Sequence, residues 1–373
     1  MANNNKHTGP NVPALRFPEF SGEWESCTLG DITNNFSRRN KDRIQYPMFS
    51  VTNNRGFVPQ SEQFEDREMV GEDIQAYKVI EKGDFAYNPA RINVGSIAKY
   101  EGNGKCMISS LYVCFNTIDR IDRDWFMHLL KTPKMNFYYN LNGEGGVRVY
   151  LFYPNFARIR SSYPSLAEQK KIAAMLSLID ERIATQSKII EEQETLLKSL
   201  RESLLKQCPK SSASCKIGDI LTIRSGKDYQ HLENGDIPVY GTGGLMCHVN
   251  NFLHDGESVC IGRKGTINKP LYLNGKFWPV DTLFYTHSFK GVLPRYCYHL
   301  FCTIDWLTYN EASGVPSLSK STIEKISVVI PSIKIQELTV QALDSVEQKI
   351  DIDRNVLLGY QQQKEYLLSR MFI

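Results

Sequence analysis

The chain repeats itself. Ser26-Cys27-Thr28-Leu29-Gly30-Asp31-Ile32 returns as Ser214-Cys215-Lys216-Ile217-Gly218-Asp219-Ile220, and the landmarks that follow keep their order. Gly83-Asp84 matches Gly256-Glu257, Asn103-Gly104-Lys105 matches Asn274-Gly275-Lys276, Leu111-Tyr112 matches Leu283-Phe284, and Gly146-Val147 matches Gly314-Val315. Pro164-Ser165-Leu166 with Gln169 closes the first copy as Pro331-Ser332-Ile333 with Gln336 closes the second. Two copies with so long a period do not make a solenoid. The pattern predicts two diverged mixed units, each ending in a long helix, in a pseudo-two-fold molecule. Such a duplication suits a task with two similar but non-identical targets.

Each closing helix begins just after a proline, with a serine as a plausible N-cap. In the first, Ile172, Leu176, Ile179, Ile183, Gln186, Ile190, Gln193, Leu197, Leu200 and Leu204 step by fours and threes. That is a heptad seam with two polar interruptions. The second carries Leu343, Val346, Ile350, Asp353, Leu357, Tyr360, Lys364, Leu367 and Met371 in the same register, with Asp353 aligned to Gln186. A forty-residue helix at ~1.5 Å per residue runs ~60 Å, longer than one domain, so the two helices are expected to pack on each other or on a partner. Tyr360 and Lys364 weaken the second seam and mark either a partner contact or a frayed end.

Composition bounds the class. With 373 residues and 42% hydrophobic content the chain fills two or three domains. No apolar run approaches a membrane span, and the Asn-rich start is no secretory signal. Nine cysteines without a C-x-x-C pair read as reduced thiols in a cytoplasm. They form no zinc-like spacing with the histidines, so no metal site is expected. A net charge of +3 is too small to mark a nucleic-acid binder by itself, so any such role rests on local clusters.

The expected organisation is a leader (1–22), a mixed domain (23–164), a helical region (165–207), a linker (208–213), a second mixed domain (214–331) and a second helical region (332–373). Strands are expected at Gly95 to Tyr100, Leu111 to Phe115, Ser258 to Ile261, Leu271 to Leu273 and Thr282 to Thr286. Helices are expected from Asp122 to Lys131 and from Arg295 to Tyr309. His128 and His299 align on those helices and read as core or boundary histidines.

Catalytic signatures are missing from the sequence. Gly102-Asn103-Gly104-Lys105-Cys106 lacks the spacing and hydroxyl of a phosphate loop. Tyr87-Asn88-Pro89-Ala90 lacks the second proline and the stacking aromatic of an adenine methyltransferase loop. Glu168-Gln169-Lys170 and Glu347-Gln348-Lys349 mimic a nuclease E-x-K without a partnering acid, and read as solvated helix faces.

What recurs instead is a set of polar, basic, glycine-rich loops at matching places. In the first copy they carry Arg38, Arg39 and Lys41; Asn53, Asn54 and Arg55; Arg91 and Asn93; and Arg148 and Tyr150. In the second they carry Arg224 and Lys227; Tyr240 and Thr242; Arg263, Lys264 and Asn268; and Ser317 and Lys320. These residue types reach phosphates and base edges, and glycine lets a loop come close to a duplex. All nineteen are candidate DNA contacts.

S-C-x-[LI]-G-D-I, an N-P-A-R-I-N-V-G-S or I-G-R-K-G loop, the Ser313-Gly314-Val315-Pro316-Ser317-Leu318 run and P-x-[LI]-x-x-Q opening a long helix, in that order and twice over, resemble the DNA-specificity subunit of Type I restriction–modification systems. The resemblance covers residues 14 to 373. It implies an α+β fold of two target-recognition domains separated by two long helices paired as an antiparallel coiled coil. It also implies a non-catalytic subunit that directs two methyltransferase subunits using S-adenosylmethionine and two restriction subunits using ATP and magnesium to double-stranded DNA. Because the two loops differ (Asn88-Pro89-Ala90-Arg91 against Ile261-Gly262-Arg263-Lys264), the target is expected to be bipartite and asymmetric. Two other classes stay open: a coiled-coil adaptor without nucleic acid, and an enzyme whose motifs have drifted.

Overall fold

The computed structural model describes residues 11–62, 74–145, 149–206 and 213–373. It forms two compact units, one of Met1–Thr185 with Leu357–Ile373 and one of Gln186–Val356.

The first unit is built on a four-stranded antiparallel sheet in the order Thr33–Phe36, Val113–Thr117, Phe85–Tyr87, Ile97–Lys99. Side chains alternate across a strand, and here both faces are buried. Phe85, Tyr87 and Phe115 point into an aromatic core with Trp125, Phe126 and Phe156. Ala86 and Cys114, one position over, point into a smaller core with Ile80, Cys106 and Ile108. The second unit repeats the order with Thr222–Ser225, Leu283–His287, Ser258–Gly262 and Leu271–Leu273. Val259, Ile261 and Phe284 face one core, while Cys260, Leu283 and Tyr285 face another. A hairpin accompanies each central sheet, Phe49–Thr52/Gly56–Pro59 as a two-stranded sheet in the first unit and Asn234–Gly241/Gly244–Val249 within a four-stranded sheet in the second.

The repeated heptapeptide ties each mixed domain shut. Glu25–Thr28 pairs antiparallel with Arg160–Tyr163, and Ala213–Lys216 pairs with Ser327–Ile330. A four-residue helix follows each first strand, started by Asp31 accepting the Thr28 amide at 2.7 Å and by Asp219 accepting the Lys216 amide at 2.9 Å. The intervening Gly30 and Gly218 admit Ala157 and Glu324 so closely that a Cβ would stand 3.0 Å from each.

The long helices are Leu166–Lys206 and Ile333–Arg370, and each unit holds a stretch of both. In the first unit Ile172, Leu176 and Ile179 are buried with Leu367, Leu368, Met371 and Phe372, and Ile183 packs against them. Asp180 pairs with Lys364 there, and Arg182 lies 5.9 Å from the Tyr360 ring. In the second unit Ile190, Leu197, Leu343 and Ile350 are buried, Val346 is half-buried, Glu194 meets Arg354 at 2.6 Å and Arg201 meets Glu347. Rising numbers on one helix meet falling numbers on the other, so the pairing is antiparallel within each unit. Its polar layer is filled: Asp353 accepts from Gln193 at 2.8 Å and from Lys349 at 2.9 Å, and its carbonyl accepts from Gln186 at 3.3 Å.

Several expectations are corrected. Leu204 is 36% exposed whereas Leu205 is 5% exposed. Beyond Leu197 the inward face passes through half-buried Leu200 and Arg201 to Leu205 rather than Leu204, because Leu205 docks on the second unit's own core. The helix expected from Arg295 to Tyr309 breaks into Pro294–Phe301 and a 3-10 turn at Trp306–Tyr309. Thr303 and Asp305 take up backbone groups there, at Leu300 and Leu307, in competition with helical bonds. The leader is docked from residue 11 on, Leu15 donating to the Arg370 carbonyl at 2.9 Å. Glu168 and Gln169 are buried rather than solvated, since Arg16 grips Glu168 through Nε at 2.8 Å and Nη2 at 2.7 Å. Nor does the second helix fray after Lys364: Phe372 stacks on Trp125 at 5.9 Å.

Candidate nucleic-acid interface

The structure gathers the recurring loops at the ends of the central strands, three of the four in the first unit and all four in the second. In the first unit the hairpin Phe49–Thr52/Gly56–Pro59 turns at Asn53, Asn54 and Arg55, all exposed. The Phe85–Tyr87 strand runs into a loop in which the Asn88 side chain accepts the Ala90 amide at 3.0 Å. Arg91 then begins a one-turn 3-10 helix, Ile92–Val94, that ends at Gly95 with φ +98°. A Cβ on Gly95 would stand 2.9 Å from the Asn53 carbonyl oxygen, so only glycine brings this loop against the hairpin tip without strain. The third loop joins when the Leu151 amide donates to the Pro89 carbonyl at 3.0 Å. There Tyr150 is 39% exposed and stacks on Phe152. Arg148 lies outside the described residues.

The second unit reproduces the arrangement with other side chains. Its hairpin turns at Thr242 and Gly243 after Tyr240, and the Ser258–Gly262 strand leads into Arg263 and Lys264. Gly265, at φ +88°, takes the place of Gly95, its Cβ position 3.7 Å from Thr242 Oγ1. The third loop is pinned by Leu318 donating to the Arg263 carbonyl at 3.0 Å, Gly265 donating to Pro316 at 2.9 Å, and a bridge between Lys264 and Ser317. The fourth loop also belongs here: the Lys227 amide donates to Pro279 at 3.0 Å, beside Thr282, whose carbonyl accepts the Arg263 amide at 2.7 Å. Arg91, Arg263 and Lys264 are exposed and make no ion pair among the described residues. Arg224, Lys227 and Asn268 are exposed as well.

Other candidates have duties within the fold. Arg38 pairs with Asp84 at 2.9 Å and Glu81 at 3.5 Å and covers the Phe36 ring at 4.3 Å. Burial raises the Asp84 carboxyl despite that guanidinium. Arg39 bridges to Lys78, so the 38–41 loop, with exposed Lys41, follows the Lys78–Ile80 strand rather than the three-loop cluster. Lys320 pairs with Glu324 at 3.5 Å across one helical turn. Asn93 donates to Asn140 at 3.0 Å.

Beneath the first unit's loops lies a cavity of about 790 Å³. Asn53, Asn54, Asn93 and Val94 line it from the loops, Leu130, Lys131 and Asn136 from the small helices, and Gln361, Lys364 and Leu368 from the second long helix. Burial, with Lys364 nearby, pushes the Lys131 ammonium down.

The aligned histidines are interior groups. His128 stands 3.4 Å from Ser177 Oγ, and burial pushes its pKa down to about 4. His299 Nδ1 accepts from Arg201 Nε at 3.2 Å, so its Nε2 donates to Asp344 at 2.8 Å. His299, Asp344 and Glu347 converge as metal ligands could, but Arg201 and Arg295 already bring the positive charge there. That cluster reads as an ion-pair network.

Sequence reasoning missed the role of the repeated glutamines, although their spacing from Pro164 and Pro331 is visible. Both are fully buried. Gln169 Oε1 accepts the Asp122 amide at 2.8 Å, and its Nε2 donates to the carbonyls of Arg120 at 3.1 Å and Pro164 at 2.9 Å. Gln336 does the same with the Leu293 amide at 2.8 Å and the carbonyls of Gly291 and Pro331, each at 2.9 Å. Each glutamine thus locks the N-terminus of a small helix to the first turn of a long one.

Known proteins resemble this chain in sequence and fold. The family model of the Type I restriction modification DNA specificity domain matches twice, over residues 21–195 and 209–358. The EcoprrI type I restriction enzyme specificity subunit of Escherichia coli is 23% identical over 142 residues, 35% of each chain. A candidate type I restriction enzyme specificity subunit of Haemophilus influenzae is 25% identical over 117 residues, 30% of each. The chain thus spans about a third of the length of these two relatives. The crystal structure of a Type I restriction–modification S subunit from M. genitalium shares the fold at TM-score 0.66 and 16% identity, covering 97% of this chain and 99% of that one. No helix among the described residues is long and apolar enough to cross a membrane. With the family model matching both repeats, this chain belongs to the DNA-specificity family of Type I restriction–modification systems.

Proposed function

We propose that the chain reads an asymmetric, bipartite duplex sequence, one half-site per recognition domain, and does no chemistry itself. It directs methyltransferase subunits, which use S-adenosylmethionine, and ATP- and magnesium-dependent restriction subunits to that sequence, two of each. The observation that carries this reading is the reuse of one three-loop frame with different side chains. Asn53-Asn54-Arg55 in one unit answers to Thr242-Gly243-Gly244 in the other, and Arg91 and Asn93 answer to Arg263 and Lys264. A shared frame with private side chains suits two different half-sites. Exposed apolar residues away from the helical seam, Leu178, Leu196, Ile352 and Leu358 among them, support partner subunits on the long helices.

Methylome sequencing of a host expressing this chain with its partners yields the target. Replacing residues 23–160 by the corresponding domain of a relative changes only one half of it. Concerted change of both halves refutes the one-domain, one-half-site reading. Methyl transfer by the purified chain alone refutes the non-catalytic reading.

A further inference from the structure

We propose that Val94 reads the C5-methyl group of a thymine in the major groove of the half-site bound by the first unit. The proposal rests on the DNA-recognition reading above and adds to it a residue and the chemical group that the residue meets.

Val94 is an apolar side chain where the fold needs none. In the 3-10 turn, Ile92 supplies the anchor at 2% exposure, whereas Val94 is 53% exposed. A lone exposed valine is ordinary on a protein surface, but on its loop this one stands beside hydrogen-bonding groups. Arg91 and Asn93 flank it in the turn, and Asn53 and Asn54 stand across the same cavity wall. Those groups distinguish bases by donors and acceptors. None of them senses the one apolar group that a base pair presents in the major groove, the thymine methyl.

The presentation is also rigid. The Val94 amide donates to the Arg91 carbonyl at 3.2 Å and the Gly95 amide to Ile92 at 3.0 Å. Ser96 then fastens the loop to the hairpin through its hydroxyl and the Val51 carbonyl at 2.6 Å. Val is β-branched and stiff at χ1, so its methyls are held in place before DNA arrives and little rotamer freedom is lost on contact. The second unit has no exposed aliphatic at the matching place, where Lys264, Gly265 and Thr266 stand and Ile267 is 1% exposed. Methyl reading through this loop is therefore specific to the first half-site.

Deoxyuridine replaces thymine without the methyl and leaves every hydrogen-bonding edge unchanged, which isolates the contact. With the target known, each thymine of the first half-site, on either strand, is replaced singly by deoxyuridine. Affinity is then measured for the full-length chain in its assembly with the methyltransferase subunits. Removing one buried methyl is expected to weaken binding three- to fivefold at one position, the effect of ~0.8 kcal/mol. Val94→Ala is expected to bind the thymine duplex correspondingly less well and no longer to distinguish uracil at that position. The residue is exposed, so the variant folds, and the deoxyuridine scan of the unaltered protein is independent of any substitution. Indifference to deoxyuridine at every position overturns the proposal, as does a half-site without thymine. Retained discrimination in Val94→Ala overturns it too, by assigning the methyl to another residue. If Val94→Ala impairs subunit assembly while deoxyuridine has no effect, Val94 is a protein contact and the proposal fails although DNA recognition stands. Absence of any sequence preference would defeat the recognition reading itself.

Discussion

Gln169→Met and Gln336→Met test the paired helix locks. Methionine nearly preserves the volume and removes all three hydrogen bonds at each position. In the first unit this leaves the Asp122 amide and the carbonyls of Arg120 and Pro164 without the side chain that meets them. A buried donor or acceptor left unsatisfied costs about 1–3 kcal/mol. The amide loses its described partner outright, and each carbonyl keeps a second lone pair that can recover part of the loss, so the sum is about 3–5 kcal/mol. Gln336→Met is expected to cost the same, because the Leu293 amide and the Gly291 and Pro331 carbonyls repeat the geometry within 0.2 Å. Urea denaturation followed by tryptophan fluorescence resolves the two, since Trp24 and Trp125 report the first unit and Trp278 and Trp306 the second. With a slope of ~2–3 kcal/mol per molar, each substitution lowers the midpoint reported by its own tryptophans by about 1–2.5 M. Gln169→Glu is no rescue, since a carboxylate accepts the amide but faces two carbonyl oxygens with no proton to give. A midpoint shift below ~0.3 M for either methionine variant refutes the reasoning.

Other consequences follow from particular groups. His128 titrates near 4 in the fold against 6.5 when free, so the unfolded chain takes the proton first. Stability of the first unit is therefore full above pH 6.5 and falls by roughly 3 kcal/mol toward pH 4, a loss that His128→Gln should remove from acid titrations read by Trp125 fluorescence. Gly95→Ala forces a side chain into positive φ against the Asn53 carbonyl. It should cost about 1–3 kcal/mol and broaden the first half-site in a selection from random duplexes; unchanged stability and sequence preference would show that the close approach is dispensable. Alanine at Arg91, Arg263 or Lys264 separates two kinds of contact. A base reader costs ~1–3 kcal/mol at one position, whereas a phosphate contact weakens all sequences and lowers the salt slope by about one. Unchanged affinity and slope would return the residue to the solvent.

The repeated landmarks were legible because each answers a local demand. Asp31 and Asp219 must start a short helix, Gly30 and Gly218 must admit a neighbouring residue, and the seam from Ile172 to Ile183 must stay apolar at helical spacing. What stayed hidden depends on partners distant in sequence. Nothing beside Glu168 in the chain announces Arg16, and nothing near Arg38 shows that Asp84 will hold it. Leu204 and Leu205 are indistinguishable by type. The choice between them is made by the core on which the helix lands. The loop cluster was readable as chemistry but not as geometry. Only the fold shows that loops two and three touch in both units, and that the 38–41 loop of the first unit lies apart from them.

The composition of the first unit has a consequence for how it is made. Its core is completed by Leu367, Leu368, Met371 and Phe372, whereas the second unit is one uninterrupted stretch, Gln186–Val356. A ribosome working from the N-terminus therefore supplies every residue of the second unit before it supplies the aromatic ring that stacks on Trp125. At ~5–20 residues per second, the interval between Thr185 and Phe372 lasts roughly 10–40 s. Throughout that time the nascent first unit displays the apolar trough that the second helix will occupy, exposed to chaperones, proteases and other nascent copies. The domain that begins first is the one finished last.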